Sequence, residues 1–214
     1  MVSAQYLAQM VLELPSGALA DLIGRKRTNL LGFAIGSLSY FLFPLANNFW
    51  TFLGLAFLVG ASDSFRSGAE EALLYDTFKQ AKKEKEFSRV YANGNMVYQA
   101  GLIISTALGG LLYAQNEFLP YILYGLALLV GSVFVGRYIE PAIDSETFSL
   151  KNYLAQIVLG SQEAFKNTYA RILSLYYIFV GGISWSSTLY FNAYMMVELG
   201  FSDTMRGLLS ASMR

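Results

Sequence analysis

Apolar residues in this chain gather into long blocks, near 2–23, 29–46, 49–73, 90–114, 119–136 and 172–197, and a further stretch begins at Thr204. A helix needs about 20 residues to cross the hydrocarbon core of a bilayer, so the six blocks are predicted to be membrane-spanning helices. The connections at Asn47-Asn48 and 115–118 are short enough to make antiparallel hairpins of their neighbours. The longest connection, 140–169, carries Leu150, Tyr153, Leu154, Ile157, Val158 and Phe165 at helical spacing, with Ser149 as a candidate N-cap. This pattern fits an amphipathic helix lying at the membrane surface, and equally a soluble linker helix packed on the bundle.

The basic residues fall in alternate connections. One set holds Arg25, Lys26, Arg27, then Lys79, Lys82, Lys83, Lys85 and Arg89, then Arg137, Lys151, Lys166 and Arg171. The intervening set, at 47–48, 115–118 and 198–203, holds no Lys or Arg. Positive loops stay on the cytoplasmic side, so the first set is expected there. The same assignment puts Met1 outside, which reads as a missing first helix. The expected organisation is an N-terminal transmembrane bundle over 1–140, a cytoplasmic linker with an amphipathic helix over 141–169, and the start of a C-terminal bundle over 170–214.

Composition narrows the chemistry. The chain is 55% hydrophobic and 14% charged, too few charges to cover a globular surface in water. Its 15 basic and 15 acidic residues cancel, which argues against a nucleic-acid partner. Cysteine and histidine are both absent, which removes disulfides, the usual zinc ligand sets, Cys nucleophiles and His-based triads. No metal or cofactor is expected, and proton chemistry is left to carboxylates. The apolar start lacks a basic n-region and a small-residue cleavage pattern, so it is a poor secretory signal.

Two stretches carry more than hydropathy. In the first, Gly17, Asp21, Gly24, Arg25 and Lys26 stand at the spacing G-x-x-x-D-x-x-G-R-K. Glu13, Gly17, Ala20 and Gly24 share one helical stripe that a neighbouring helix could approach closely. Gly24 can end the helix, and the cations after it suit a helix carbonyl terminus. In the second, Asp63, Arg66 and Glu70 lie at i, i+3 and i+7 inside an apolar block. A charge at the bilayer centre costs roughly 2.5–3.5 kcal/mol, so these groups are expected to pair and to face inward. Glu71 and Asp76 come later, nearer the basic loop.

The first stretch resembles the signature between helices two and three of the major facilitator superfamily, and the second is similar to that family's fourth helix. On this resemblance the chain is an all-α polytopic membrane protein, a partial bundle covering family helices two to eight, with about six full transmembrane helices and the start of a seventh. The blocks at 29–46 and 119–136 would then be lipid-facing helices three and six, and neither has a charged residue or a Gln. The block at 172–197 would line the solute path, and it carries Tyr176, Tyr177, Ser184, Trp185, Ser186, Ser187, Thr188, Tyr190 and Asn192. One departure concerns the fifth helix. Gly101, Gly109 and Gly110 match the antiporters' glycines, but Ser105-Thr106 stands at the Gly-Pro position, so this segment does not support proton-coupled export.

The resemblance implies a secondary transporter working by alternating access, embedded in a bilayer, here that of the bacterial plasma membrane. Its substrate would be an unidentified small molecule, with protons as the candidate coupling ion. Cavity candidates are Asp63, Arg66, Gln99, Tyr177, Trp185 and Asn192. The cytoplasmic latch would comprise Gly17, Asp21, Gly24, Arg25 and Lys26, with Glu71 and Asp76 as carboxylate partners. A non-transporting truncated protein is the alternative. A membrane-embedded enzyme is disfavoured, because Arg66 between Asp63 and Glu70 favours charge pairing over a raised carboxylate pKa.

Overall fold

The structure, a computed structural model, describes residues 2–140, 150–164, 166–181, 183 and 192–212. Helices α1 (Val2–Ile23), α2 (Arg25–Leu42), α3 (Phe49–Gln80), α4 (Glu84–Gln115) and α5 (Leu119–Gly136) follow one another through short turns. Then come α6 (Leu150–Ala164), α7 (Thr168–Tyr176) running into a π-helical turn (Tyr177–Gly181), α8 (Asn192–Glu198) and α9 (Asp203–Ser212). No strand occurs among the described residues.

Three stretches are long and apolar enough to cross a membrane by length and composition: Arg25–Leu45, Glu84–Gln115 and Leu119–Gly136. Helices α1 and α3, at 22 and 32 residues, also have the length. Charged and polar side chains in their interiors, Gln5 and Glu13 in α1 and Asp63 and Arg66 in α3, dilute their apolar content. The predicted block at 172–197 is described as the end of α7, the π turn and most of α8; residues between them lie outside the description.

The chain divides into two compact units, Met1–Tyr91 with Tyr121–Val158, and Ala92–Pro120 with Leu159–Arg214. In the first, small residues set how the helices run. A Cβ on Gly60 would strike the Gln5 carbonyl and Ala8, and Ala8 is fully buried. Further along, the Ser64 hydroxyl donates to Ser16 Oγ at 2.8 Å, and Ser16 donates to the Ser64 carbonyl at 3.0 Å. Contacts therefore advance together along α1 and α3, which run parallel.

Against α2 the order reverses. Ser62 donates to the Gly32 carbonyl at 2.8 Å, and a Cβ on Gly32 would meet Arg66 Cγ at 2.6 Å. Helix α2 is also antiparallel to α5. Gly125 lies against Phe41 and accepts from Ser37 at 2.9 Å, while Gly131 lies against Phe33. Close approach of this kind is what small residues give a bundle whose lipid solvent offers no hydrophobic drive.

The two ends of this unit differ. At one end an aromatic cluster forms, with Phe43 stacked on Tyr121 at 5.1 Å and Phe43, Leu55 and Val59 buried together. Asn48 caps α3 there, accepting from the Thr51 amide at 2.9 Å in a reciprocal box. The opposite end gathers the start of α2 and the ends of α3 and α5, and with them the basic residues 25–27.

In the second unit α4 and α9 meet at glycines. A Cβ on Gly207 would lie 2.9 Å from Gly110 Cα. Of the three glycines on α4, Gly101 and Gly109 are not at the contact, because a Cβ on either would have nothing within 4 Å. The touching face is one residue further round, at Gly110. Gly200, at φ +72°, ends α8 in the left-handed conformation that glycine adopts without a Cβ clash.

Candidate functional site

The charged end of the first unit is built on the turn between α1 and α2. Helix α1 stops at Ile23, and Gly24 takes φ +101° and ψ 144°, a region L side chains rarely enter. Helix α2 begins at the next residue. Arg25, Lys26 and Arg27 were expected in a loop, favouring the carbonyl end of the preceding helix. They are instead the first turn of α2, where the helix dipole disfavours cations. Two sets of carboxylates offset this.

The first set holds Arg25. Its guanidinium lies 2.5 Å from Asp76 Oδ2 and 3.8 Å from Asp21 Oδ1, with Arg25 and Asp76 largely screened from solvent. Asp76 is in the last turns of α3, so the pair joins the start of α2 to the end of α3. Glu71, one turn earlier, faces the same hollow, which Arg25, Gly68, Ala72, Tyr75, Asp76 and Phe87 also line. Glu71 accepts from the Tyr91 hydroxyl at 3.3 Å rather than from Arg25. Phe87 stacks on Tyr91 and meets Tyr75 edge-on, which fixes the start of α4 against α3.

The second set is Glu140, just past α5. Its carboxylate accepts the Lys26 backbone N–H at 3.2 and 3.1 Å, while Lys26 Nζ donates to the Tyr138 carbonyl at 2.6 Å. A Cβ on Gly24 would crowd the same carboxylate at 3.1 Å, so this glycine serves both the turn and the room Glu140 needs. Gly17, by contrast, has nothing within 4 Å of a Cβ. Of the expected close-approach stripe, Gly17 makes no such contact, whereas Glu13 accepts from the Ser67 hydroxyl of α3 at 2.8 Å and Ala20 is buried; α1 meets α3 through Ala8 and Ser16 as well.

A second polar cluster lies midway along α3, about 21 Å from its start at the 1.5 Å helical rise. Arg66 Nη2 donates to Asp63 Oδ1 at 2.9 Å, and Gln5 Nε2 donates to Asp63 Oδ2 at 2.9 Å. The guanidinium sits over the Phe33 ring, 5.1 Å from its centroid, a cation–π distance. Tyr40 and Tyr124, in edge contact at 4.5 Å, lie close enough to interact electrostatically with it. Helices α1, α2, α3 and α5 thus all contribute to the surroundings of one charge pair. Glu70 is exposed and takes no part.

The remaining candidates are dispersed. Gln99 is exposed on α4. Tyr177 opens the π turn and Asn192 opens α8, while Trp185 lies outside the described residues. Among residues not picked out from the sequence, Glu140, Gln5, Tyr40 and Tyr124 had no local signal, since each meets its partner across helices.

A family model, Major Facilitator Superfamily, matches residues 1–213. The chain belongs to that superfamily. Among curated relatives, the quinolone resistance protein NorA of Staphylococcus aureus (strain MRSA252) is 25% identical over 139 residues, 63% of this chain and 35% of the relative. The uncharacterized MFS-type transporter YxaM of Bacillus subtilis (strain 168) is 25% identical over 141 residues, 66% of this chain and 34% of the relative. The chain thus spans about a third of the length of these relatives. No solved structure matches it significantly.

Proposed function

We propose that this chain forms part of a secondary transporter that moves a small organic solute across the bacterial plasma membrane by alternating access. The observation that carries the reading is the Asp63–Arg66 pair, held at mid-helix by Gln5, Phe33, Tyr40 and Tyr124. A partly buried charge pair is costly in a bundle of this kind, and such groups mark solute or ion paths in membrane proteins. In this reading Asp63 and Arg66 contribute to the solute path, with Gln99, Tyr177, Trp185 and Asn192 as further lining groups. The end carrying residues 25–27 faces the cytoplasm, and the Arg25–Asp76 pair holds that side closed in one of the two states. Asp21 and Glu71 supply the surrounding negative charge, and Gly24 and Lys26 shape the turn.

The chain spans about a third of its relatives' length, and transport is proposed for the full-length protein. Solute identity starts from the printed name of one relative, which makes a quinolone the first compound to try. Coupling to protons would fall to carboxylates, because the chain has no histidine. The test is accumulation by proteoliposomes containing the full-length protein, with quinolones and other organic solutes. The expected result is gradient-driven movement that Asp63→Asn or Arg66→Lys abolishes. Transport at the wild-type rate by both variants would contradict the role given to the pair.

A further inference from the structure

We infer that Glu140 is a positioning residue for the cytoplasmic latch: its carboxylate serves as the N-terminal cap of α2 and thereby aims Arg25 at Asp76. The inference rests on the latch reading given above. Four features of the structure meet at this carboxylate. Helix α2 starts with three consecutive cations and no acidic residue in its first turn. Its N-cap position is Gly24, which has no side chain to accept an orphan amide. Both Glu140 oxygens accept the N–H of Lys26, the second residue of the helix, and that is the amide a capping side chain ordinarily takes. The fourth is the space: any Cβ on Gly24 would lie 3.1 Å from the Glu140 carboxylate.

The cap therefore comes from a residue 114 positions away, at the end of another helix. Negative charge at a helix N-terminus is favourable, and here it also neutralises cations that the dipole disfavours. Arg25 occupies the position between Gly24 and the capped amide. Its backbone is fixed on both sides, by the left-handed turn and by Glu140, while its side chain reaches Asp76. The Lys26 ammonium adds a second tie to the same segment through the Tyr138 carbonyl. Loss of the carboxylate frees the first turn of α2, and with it the direction of Arg25, without touching either member of the ion pair.

The experiment uses the full-length protein with a single cysteine, Gly68→Cys, on the hollow beside the pair. A Cβ at Gly68 meets nothing within 4 Å, so the probe fits. Two readouts are compared across Glu140→Ala, Glu140→Asp, Asp76→Asn and the double variant Glu140→Ala with Asp76→Asn. They are hydrogen exchange at the Lys26 amide and the rate at which a thiol reagent labels position 68 from the cytoplasmic side.

Glu140→Ala should speed Lys26 exchange and labelling by about three- to tenfold, the scale of a partly buried charge at a helix terminus. The shorter Glu140→Asp should restore neither, since it cannot span the gap. Asp76→Asn should speed labelling and leave Lys26 exchange unchanged, and the double variant should label no faster than Asp76→Asn alone. Unchanged Lys26 exchange in Glu140→Ala would overturn the cap, and additive labelling in the double variant would overturn its action through the pair. If Asp76→Asn leaves labelling unchanged, the latch reading itself falls and the positioning role falls with it, whatever Lys26 exchange reports about the cap.

Discussion

Helices α3 and α4 are both 32 residues long, yet they are built for different surroundings. Helix α4 passes as a membrane span on length and hydropathy, but none of its residues is buried among the described residues. Helix α3 does not pass, and it buries Leu55, Ala56, Val59, Gly60, Ala61, Ser62, Ser64, Ala69 and Leu73. Hydropathy therefore ranks a helix for contact with lipid, not for burial in protein. What makes α3 a core helix is its run of glycine, alanine and serine, which lets α1 and α2 approach and satisfies hydroxyls across the contact. On α4 the large apolar residues Met96, Val97, Ile104 and Leu108 are exposed, as is Gly101.

Matched substitutions on the two helices sharpen this contrast, with stability read by thermal unfolding of purified protein in detergent. The largest effect is expected at the charge pair. Arg66→Leu leaves the partly buried Asp63 with Gln5 but no counter-charge and should cost about 3 kcal/mol, the low end of the penalty for breaking a buried pair. Gln99→Leu, on the exposed face of α4, should change stability by less than about 0.5 kcal/mol. Equal losses at both positions would break the comparison.

The glycines come next. Gly60→Leu must push α1 away from α3, because the obstacle is the Gln5 backbone rather than a flexible side chain, and should cost about 1–3 kcal/mol or more. Gly101→Leu has open space and should fall within about 0.5 kcal/mol of wild type. The serines give the smallest contrast. Ser64→Ala removes a buried hydrogen bond between helices and should cost about 1 kcal/mol. Among the described residues Ser105 bonds only the Leu102 carbonyl of its own helix, so Ser105→Ala should be close to neutral.

The same contrast explains how much was legible beforehand. Helices α1 to α5 were readable because lipid-facing residues write long apolar blocks into the chain, whether or not the interior face is small. The Asp63–Arg66 pair was readable because its members are three residues apart on one helix. Arg25 and Asp76 were readable as candidates because both helix ends fall on the side with the basic loops. Contacts between helices had no such local record. Gln5 meets Asp63 from 58 positions away and Glu140 meets Lys26 from 114, and a glutamate after an apolar block looks like any other solvated end. Gly17 alone on its stripe misled, for the converse reason. Small residues permit close approach without requiring it, and the neighbour here chose Ala8 and Ser16.

The charge pair at the basic end, Arg25 with Asp76, is the central claim, and charge reversal tests it most directly. Transport of an identified solute by the full-length protein would be measured for Arg25→Glu alone and combined with Asp76→Arg. Arg25→Glu sets a third carboxylate beside Asp21 and Asp76, and should remove most of the activity. Adding Asp76→Arg restores an opposite-charge pair across the same gap and should recover part of it. A double variant no more active than Arg25→Glu alone would contradict a latch made by these two residues.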